Sequence, residues 1–261
     1  MSLQIKEQNN DKIMIHNSSN NLDQQLAQDI PSPLPNYSGF CMVICGPSGS
    51  GKTTFMYSIM TKKKKNGIRQ SYRKVFDKIY IVSPTIANTS MKKDPFKDIP
   101  KNQVYRTLTL EHLEELEDKI KDNREDDTNS IIILDDVGSQ LRKSAAVEKK
   151  LSQMVQNRRH DFTSYVFLIQ KYRDLQPAIR SNMSHLVLFK PKTIPEREAI
   201  ANELFPFKKN KFDELFNHVY ENDDNYSFML VDLSLKKTNK FIFHNKFNVL
   251  EITDNETGVV N

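Results

Sequence analysis

The residues of this chain with the plainest chemical purpose lie in the run Cys45-Gly46-Pro47-Ser48-Gly49-Ser50-Gly51-Lys52-Thr53-Thr54. Its spacing is that of a phosphate-binding loop. Gly46, Gly49 and Gly51 let the backbone curl so that successive N–H groups point inward at phosphate oxygens, and the positive end of a following helix adds to that field. Pro47, Ser48, Ser50 and Thr54 complete the nucleotide-contacting run. Lys52 can reach β- and γ-phosphates, and the Thr53 hydroxyl is placed to ligate Mg²⁺. ATP and Mg²⁺ are the expected ligands.

A second group of polar residues supplies what hydrolysis would need. Ile131-Ile132-Ile133-Leu134-Asp135-Asp136 reads as a buried strand that delivers two carboxylates at its carboxyl end, where ligands bind in open α/β sheets. Asp135 is positioned to hold Mg²⁺ opposite Thr53. Asp136, one residue on, is the candidate for polarising the attacking water. Taken alone, an apolar run ending in Asp-Asp is also an ordinary strand-end turn. A third strand, Ser164 to Gln170, ends in an amide. In ATPases with an added strand between the phosphate-loop strand and the carboxylate strand, that terminal polar residue senses the γ-phosphate and orients water; Gln170 fits this, and a strand-end Gln facing solvent is its bland alternative.

Arginines complete the set. The basic stretch from Lys171 to His185 contains Arg180, which could point across a subunit boundary as a trans arginine finger. A structural cap or a contact to a phosphate backbone competes with that role. Arg158 and Arg159 are weaker candidates for the same function.

The elements that must position these groups are legible from periodicity. Phe40 to Ile44 is a short apolar run that reads as the strand before the loop, and Thr53 to Met60 opens the helix after it. Strands follow at Lys78 to Ser83 and Leu186 to Phe189, with helices over Leu110 to Asp122, Val147 to Arg159, Pro195 to Leu204 and Lys211 to Tyr220. Leu113, Leu116 and Ile120 fall at helical spacing and are core contacts. Tyr226 to Asp232 and Lys240 to Phe243 suit a hairpin that completes the sheet edge, with their aromatic residues in the core. The fold class is α/β, with a mostly parallel central sheet flanked by helices.

Lys62 to Lys65 read as cations on the negative end of the first helix, with Gly67 as its C-cap, or as a surface that faces DNA. Residues 1–35 are rich in Asn, Gln, Asp and Ser and end in Pro31-Ser32-Pro33-Leu34-Pro35, which predicts a flexible arm before an ATPase domain over 36–261. The 261 residues suit one substantial core. Charged residues make up 27%, and no apolar run approaches the roughly 18 residues that a membrane span requires. With no apolar leader after Met1, an intracellular protein is expected. Cys41 and Cys45 share one face of the first strand as reduced core residues, and the six histidines are too scattered for a metal site. A net charge of +5 permits a nucleic-acid partner.

Together the loop from Gly46 to Thr53, the Ile133-Leu134-Asp135-Asp136 element, Arg158-Arg159-His160, the strand ending at Gln170, and Ile179-Arg180-Ser181-Asn182 resemble the poxvirus A32-type genome-packaging ATPases of the FtsK–HerA superfamily, over roughly residues 38 to 190. The resemblance implies a RecA-like core assembled into a homo-oligomeric ring, a hexamer in expectation, that threads double-stranded DNA into a preformed capsid using ATP. It implies a capsid or portal-like vertex protein as partner, and host cytoplasm at viral assembly sites, or the virion, as location. Asp136 departs from the pattern, since many members of that superfamily carry the longer Glu there.

Basic segments at Lys62 to Lys65, Arg142-Lys143, Lys149-Lys150 and Lys171 to Arg173 could line a DNA channel, although each taken singly is an ordinary solvated surface. Two other classes share the loop. A small-molecule or nucleotide kinase would add an arginine-bearing lid, which the sequence does not present. A nucleotide-gated binding protein, such as a helicase loader or a GTPase-like switch, needs only binding; against the GTPase, no Asn-Lys-x-Asp motif follows the last strands.

Overall fold

The computed structural model of the protein describes residues 25–84 (28 excepted), 96, 98–205, 209–221, 226–234, 242–251, 253–254 and 258–259. Strand β1 (Cys41–Cys45) leads through the phosphate loop into helix α1 (Lys52–Thr61). The chain continues through β2 (Lys78–Val82), β3 (Val104–Tyr105), α2 (Leu110–Glu125), β4 (Ser130–Asp135), α3 (Gly138–Leu141), α4 (Ala145–Asn157) and β5 (Thr163–Ile169). It closes with α5 (Pro177–Arg180), β6 (His185–Phe189), α6 (Ile194–Leu204), α7 (Lys209–Tyr220), β7 (Phe228–Asp232), β8 (Ile242–Asn245) and β9 (Asn248–Leu250).

These strands form one sheet in the order β3-β2-β4-β5-β1-β6-β7-β8-β9. From β3 to β6 every neighbouring pair is parallel, and β7, β8 and β9 add an antiparallel flank. The expected insertion is present: β5 lies between β1 and β4. Both faces are covered, which is why β4 and β5 are apolar without alternation. Side chains still alternate between two cores, because successive Cβ atoms point to opposite faces. Cys41, Val43 and Cys45 join the core beneath α2, α4, α6 and α7, whereas Phe40, Met42 and Ile44 join the core beneath α1.

Helix starts follow local capping chemistry. Thr109 Oγ1 accepts from the His112 N–H at 3.2 Å at the head of α2, and Ser144 Oγ accepts from Val147 N–H at 3.4 Å at the head of α4. As expected, α2 buries Leu113, Leu116 and Ile120. It also buries Asn123, whose Nδ2 donates to Tyr80 Oη at 2.9 Å and Ser130 Oγ at 3.0 Å, so β2, β4 and α2 share a satisfied polar lock.

Some local readings differ in the structure. Within the segment expected as an arm, Ile30 and Leu34 are buried in the core under α1, and Tyr72 Oη donates to the Pro35 carbonyl at 2.8 Å. Asp29 accepts from Lys64 at 3.0 Å and Arg69 at 2.6 Å, fixing the same segment from outside. The polar composition of the arm concealed two apolar residues that cover a face α1 leaves open; residues 1–24 lie outside the described residues. The expected lysine-rich helix end is different too. Helix α1 stops at Thr61, and Asn66 (φ 51°) with Gly67 (φ 79°) makes a two-residue turn across which Lys65 and Ile68 exchange two backbone hydrogen bonds of 2.9 Å. Gly67 is therefore a hairpin turn residue, not a helix cap.

At the far edge, β7 begins at Phe228, two residues after the strand expected from Tyr226, and Tyr226 is exposed rather than core. Lys240, Phe241 and most of the connection expected over Leu233 to Asn239 lie outside the described residues. Strand β8 does pair antiparallel with β7, and β9, which carries too few apolar residues to read as a strand, extends the flank.

Candidate active site

Parallel order brings the carboxyl ends of β4, β5 and β1 side by side. Asp135 is in register with Leu168, and Cys45 with Ile169, so Asp136, Gln170 and Gly46 all leave the sheet at one edge. The Gly46 N–H donates to the Ile169 carbonyl at 3.1 Å, stitching the loop to β5 as it starts. Gly46 has no room for a side chain: a Cβ there would stand 2.6 Å from Phe189 Cβ. Gly51, at φ 100°, is in the left-handed region that turns the chain into α1.

Within the loop, Lys52 Nζ donates to the carbonyls of Gly46 at 2.7 Å and Pro47 at 2.9 Å. Burial pulls its pKa below the usual lysine range, and the charges of Asp135 and Asp136 are among the groups that oppose this. Ser50 Oγ is buried without a hydrogen-bond partner. A buried hydroxyl without a partner and an ammonium at the head of a helix suit an anion.

Asp135 is half-buried, and its pKa is raised first by burial and then by the like charge of Asp136; Lys52 and the Ser83 hydroxyl, 3.4 Å from Oδ2, pull the other way. Hard oxygen donors with a carboxylate that gains from a nearby positive charge suit Mg²⁺, and Asp135 and Thr53 are the residues that could hold it. Among the described residues no cluster of three or more His, Cys, Asp or Glu forms a metal site of its own. Burial pushes the Cys41 thiol up to about 12 and Cys45 higher still, so both are inert core groups.

Asp136 holds a left-handed backbone at φ 55°, rare for a residue with a side chain, and its N–H donates to the Leu168 carbonyl at 3.1 Å. Gln170 Nε2 donates to Asp136 Oδ1 at 3.0 Å. Two residues picked independently from two strands are thus in contact. Beside them a cavity of about 470 Å³ is lined by Pro47, Ser48, Gln170, Lys171, Arg173 and Glu196, among others.

Arg180 is placed differently. Its Nε donates to Glu203 at 2.9 Å and 3.1 Å, another guanidinium nitrogen donates to the Leu175 carbonyl at 2.5 Å, and the group lies 5.1 Å from the centre of the Tyr172 ring. Tyr172 Oη also donates to Glu203 at 3.1 Å, and the Tyr172 N–H donates to Glu196. Arg180 is therefore joined to Glu203 of α6 beside the segment that follows Gln170. Arg158 is half-buried and donates to the Val155 carbonyl and Asn182 Oδ1, while Arg159 is exposed.

Sequence reasoning missed Ser83, Ser50 as an unsatisfied hydroxyl, and Arg173 as a cavity residue. Ser83 could have been found: it is the first polar residue after a strand that pairs in parallel with β4. The other two depend on packing that no local pattern encodes.

The family model described as Poxvirus A32 protein matches residues 35–211. Among solved structures, the chain is similar to B204, the DNA-packaging ATPase from Sulfolobus Turreted Icosahedral Virus, with a TM-score of 0.53 and 15% identity, covering 79% of this chain and 97% of that one. The genome packaging NTPase B204 from Sulfolobus turreted icosahedral virus 2 in complex with AMPPCP gives a TM-score of 0.51 and 15% identity, covering 79% and 97%. Its complex with ATP-gammaS gives 0.51 and 14%, covering 81% and 98%. At these identities the likeness establishes the P-loop fold alone. No curated protein matches the chain in sequence. The family match spans more than half of the chain and takes in the phosphate loop, both aspartates and Gln170, and the chain belongs to the poxvirus A32 protein family.

Proposed function

We propose that this protein is an ATPase that drives double-stranded DNA into a preformed viral capsid, working as a homo-oligomeric ring, a hexamer in the simplest case. The observation that carries the reading is the convergence of Lys52, Asp135 and the Asp136–Gln170 pair at one sheet edge, in a chain of the A32 family. The B204 proteins, described as packaging NTPases and found with ATP analogues, share this fold and support the same direction.

Triphosphate oxygens offer Lys52 charge-assisted hydrogen bonds in place of two neutral carbonyls, and offer Ser50 Oγ a partner. Thr53 and Asp135 would hold Mg²⁺, which when bound neutralises charge on the β- and γ-phosphates. Gln170 occupies Asp136 Oδ1 and leaves Oδ2 to accept a proton from water. The water oxygen then bonds to the γ-phosphorus as the bond to the bridging oxygen breaks, and ADP and phosphate leave.

Arg180 would act in trans only after releasing Glu203, so this reading gives it a positioning role and leaves Arg159, at the surface, as the alternative finger. For the DNA path, Lys62, Lys64, Arg69, Arg73 and Lys74 gather around a recess of about 250 Å³ with Asp29 as their counter-charge. Like charges gathered in this way favour a polyanion. Among the other basic segments, Arg142 is paired with Asp174 and Lys150 with Glu117. A capsid or vertex protein is the expected docking partner, at assembly sites in host cytoplasm; among the described residues no helix is long and apolar enough to cross a membrane.

Phosphate release from ATP, with and without linear double-stranded DNA, tests the proposal. Hydrolysis that rises with DNA and vanishes in Lys52→Ala is expected. Hydrolysis indifferent to DNA, or dependent on a small acceptor, would overturn it in favour of a switch or a kinase.

A further inference from the structure

The nucleotide site described above accounts for phosphates and says nothing of the base. Its γ-phosphate end is marked by Asp135, Asp136 and Gln170, all on the β4–β5 side of β1. A nucleotide lying along the loop must therefore send its sugar and base the other way, past Gly51 and over the β6–β7 side.

That side carries exposed apolar and aromatic surface. The large hydrophobic side chains exposed among the described residues include Tyr226 at 62%, Phe247 at 46% and Val249 at 61%, all on this flank. Tyr226 stands at the loop itself: a Cβ on Gly51 would lie 3.1 Å from Tyr226 Cδ1. Phe247 is held in place from below. Its ring stacks on Phe55 of α1 at 6.1 Å between centroids and 23° between planes, and meets Phe228 edge-on at 5.4 Å. The β8–β9 turn that presents it is anchored by Lys246, whose N–H donates to the Phe228 carbonyl at 2.9 Å. Aromatic side chains thus stand both against the first turn of α1 and at the mouth of the loop.

We propose that Tyr226 is the shelf on which the purine base of the bound nucleoside triphosphate stacks. The proposal rests on the nucleotide reading above. A base offers a flat π-face, and stacking of this kind is tolerant of base identity, so ATP and GTP should bind with similar affinity.

Binding of ATP, GTP and inorganic tripolyphosphate to the full chain, measured by calorimetry, tests it. Tyr226→Ala should weaken ATP and GTP about tenfold or more, Tyr226→Phe should restore most of the loss, and tripolyphosphate should bind both variants as it binds the unmodified chain. Unchanged ATP affinity in Tyr226→Ala would overturn the shelf. An equal loss for ATP and tripolyphosphate would also overturn it, since Tyr226 would then merely support Gly51. An unmodified chain that binds neither ATP nor tripolyphosphate would instead overturn the nucleotide reading, and the shelf with it.

Discussion

The strand ends of β4, β5 and β1 and the neighbouring segment from Tyr172 to Arg180 are both rich in charge, yet their polar groups are spent differently. At the strand ends, Ser50 Oγ is buried without a partner, Asp135 has the Ser83 hydroxyl at 3.4 Å, and Lys52 rests on two neutral carbonyls. Next door, Arg180, Glu203, Tyr172 and Glu196 are joined in a chain of hydrogen bonds and a cation–π contact. Groups left with unmet demand are the ones able to meet a ligand; groups already matched hold the ligand's partners in place. This contrast separates Arg180 from the residues it resembles in sequence.

Several substitutions would sharpen or break the contrast. The largest effect is expected for Lys52→Ala, which should lower ATP hydrolysis by on the order of a hundred- to a thousandfold with little change in melting temperature, as steady-state phosphate release alongside thermal denaturation would read out. Arg180→Ala should do the reverse in kind. Loss of its bonds to Glu203 and the Leu175 carbonyl should cost about 1–3 kcal/mol of stability, measured by urea unfolding, and reduce hydrolysis only through the displaced Gln170 segment. An Arg180→Ala chain of full stability that hydrolyses nothing, yet is rescued when mixed with Lys52→Ala subunits, would restore the finger and break the comparison.

A smaller and pH-dependent effect is expected at Asp135. Its folded pKa is raised above the ordinary 3.8, so the folded state binds its proton more tightly than the unfolded chain does. The stability associated with that proton is present in acid and is lost as pH rises through the raised value. Asp135→Asn should therefore raise the melting temperature at neutral pH and lose that advantage below the ordinary carboxylate range, while Mg²⁺-dependent nucleotide binding weakens at neutral pH. The smallest effect belongs to Ser50→Ala. Removing a buried hydroxyl without a partner should stabilise the chain by about 1 kcal/mol and weaken nucleotide binding, by calorimetry, a few-fold.

Much of this was legible in the order of residues because it depends on local rules. A glycine-rich loop between an apolar strand and a helix, and polar residues directly after apolar strands, specify which side chains reach the carboxyl edge once the strands are parallel; the hydrogen bond between Asp136 and Gln170 at that edge is a finding of the structure. What the sequence hides is pairing between distant groups. Nothing near Arg180 announces Glu203, and nothing near Tyr226 announces Gly51, since both contacts are set by how α6 and the antiparallel flank pack. The buried Ile30 and Leu34 were hidden for a related reason, a polar background that masked two apolar residues. The hairpin at Asn66-Gly67 was legible, but a helix-end reading of the lysines displaced it.

The most direct test of the central claim, that Asp136 takes the proton from the attacking water while Gln170 orients it, is single-turnover hydrolysis of ATP by Asp136→Asn, with nucleotide affinity measured on the same protein. Affinity within a few-fold of the unmodified chain and a rate reduced by roughly a hundred- to ten-thousandfold are expected. Hydrolysis at the unmodified rate, with binding intact, would contradict it and move the base to another group of the same edge.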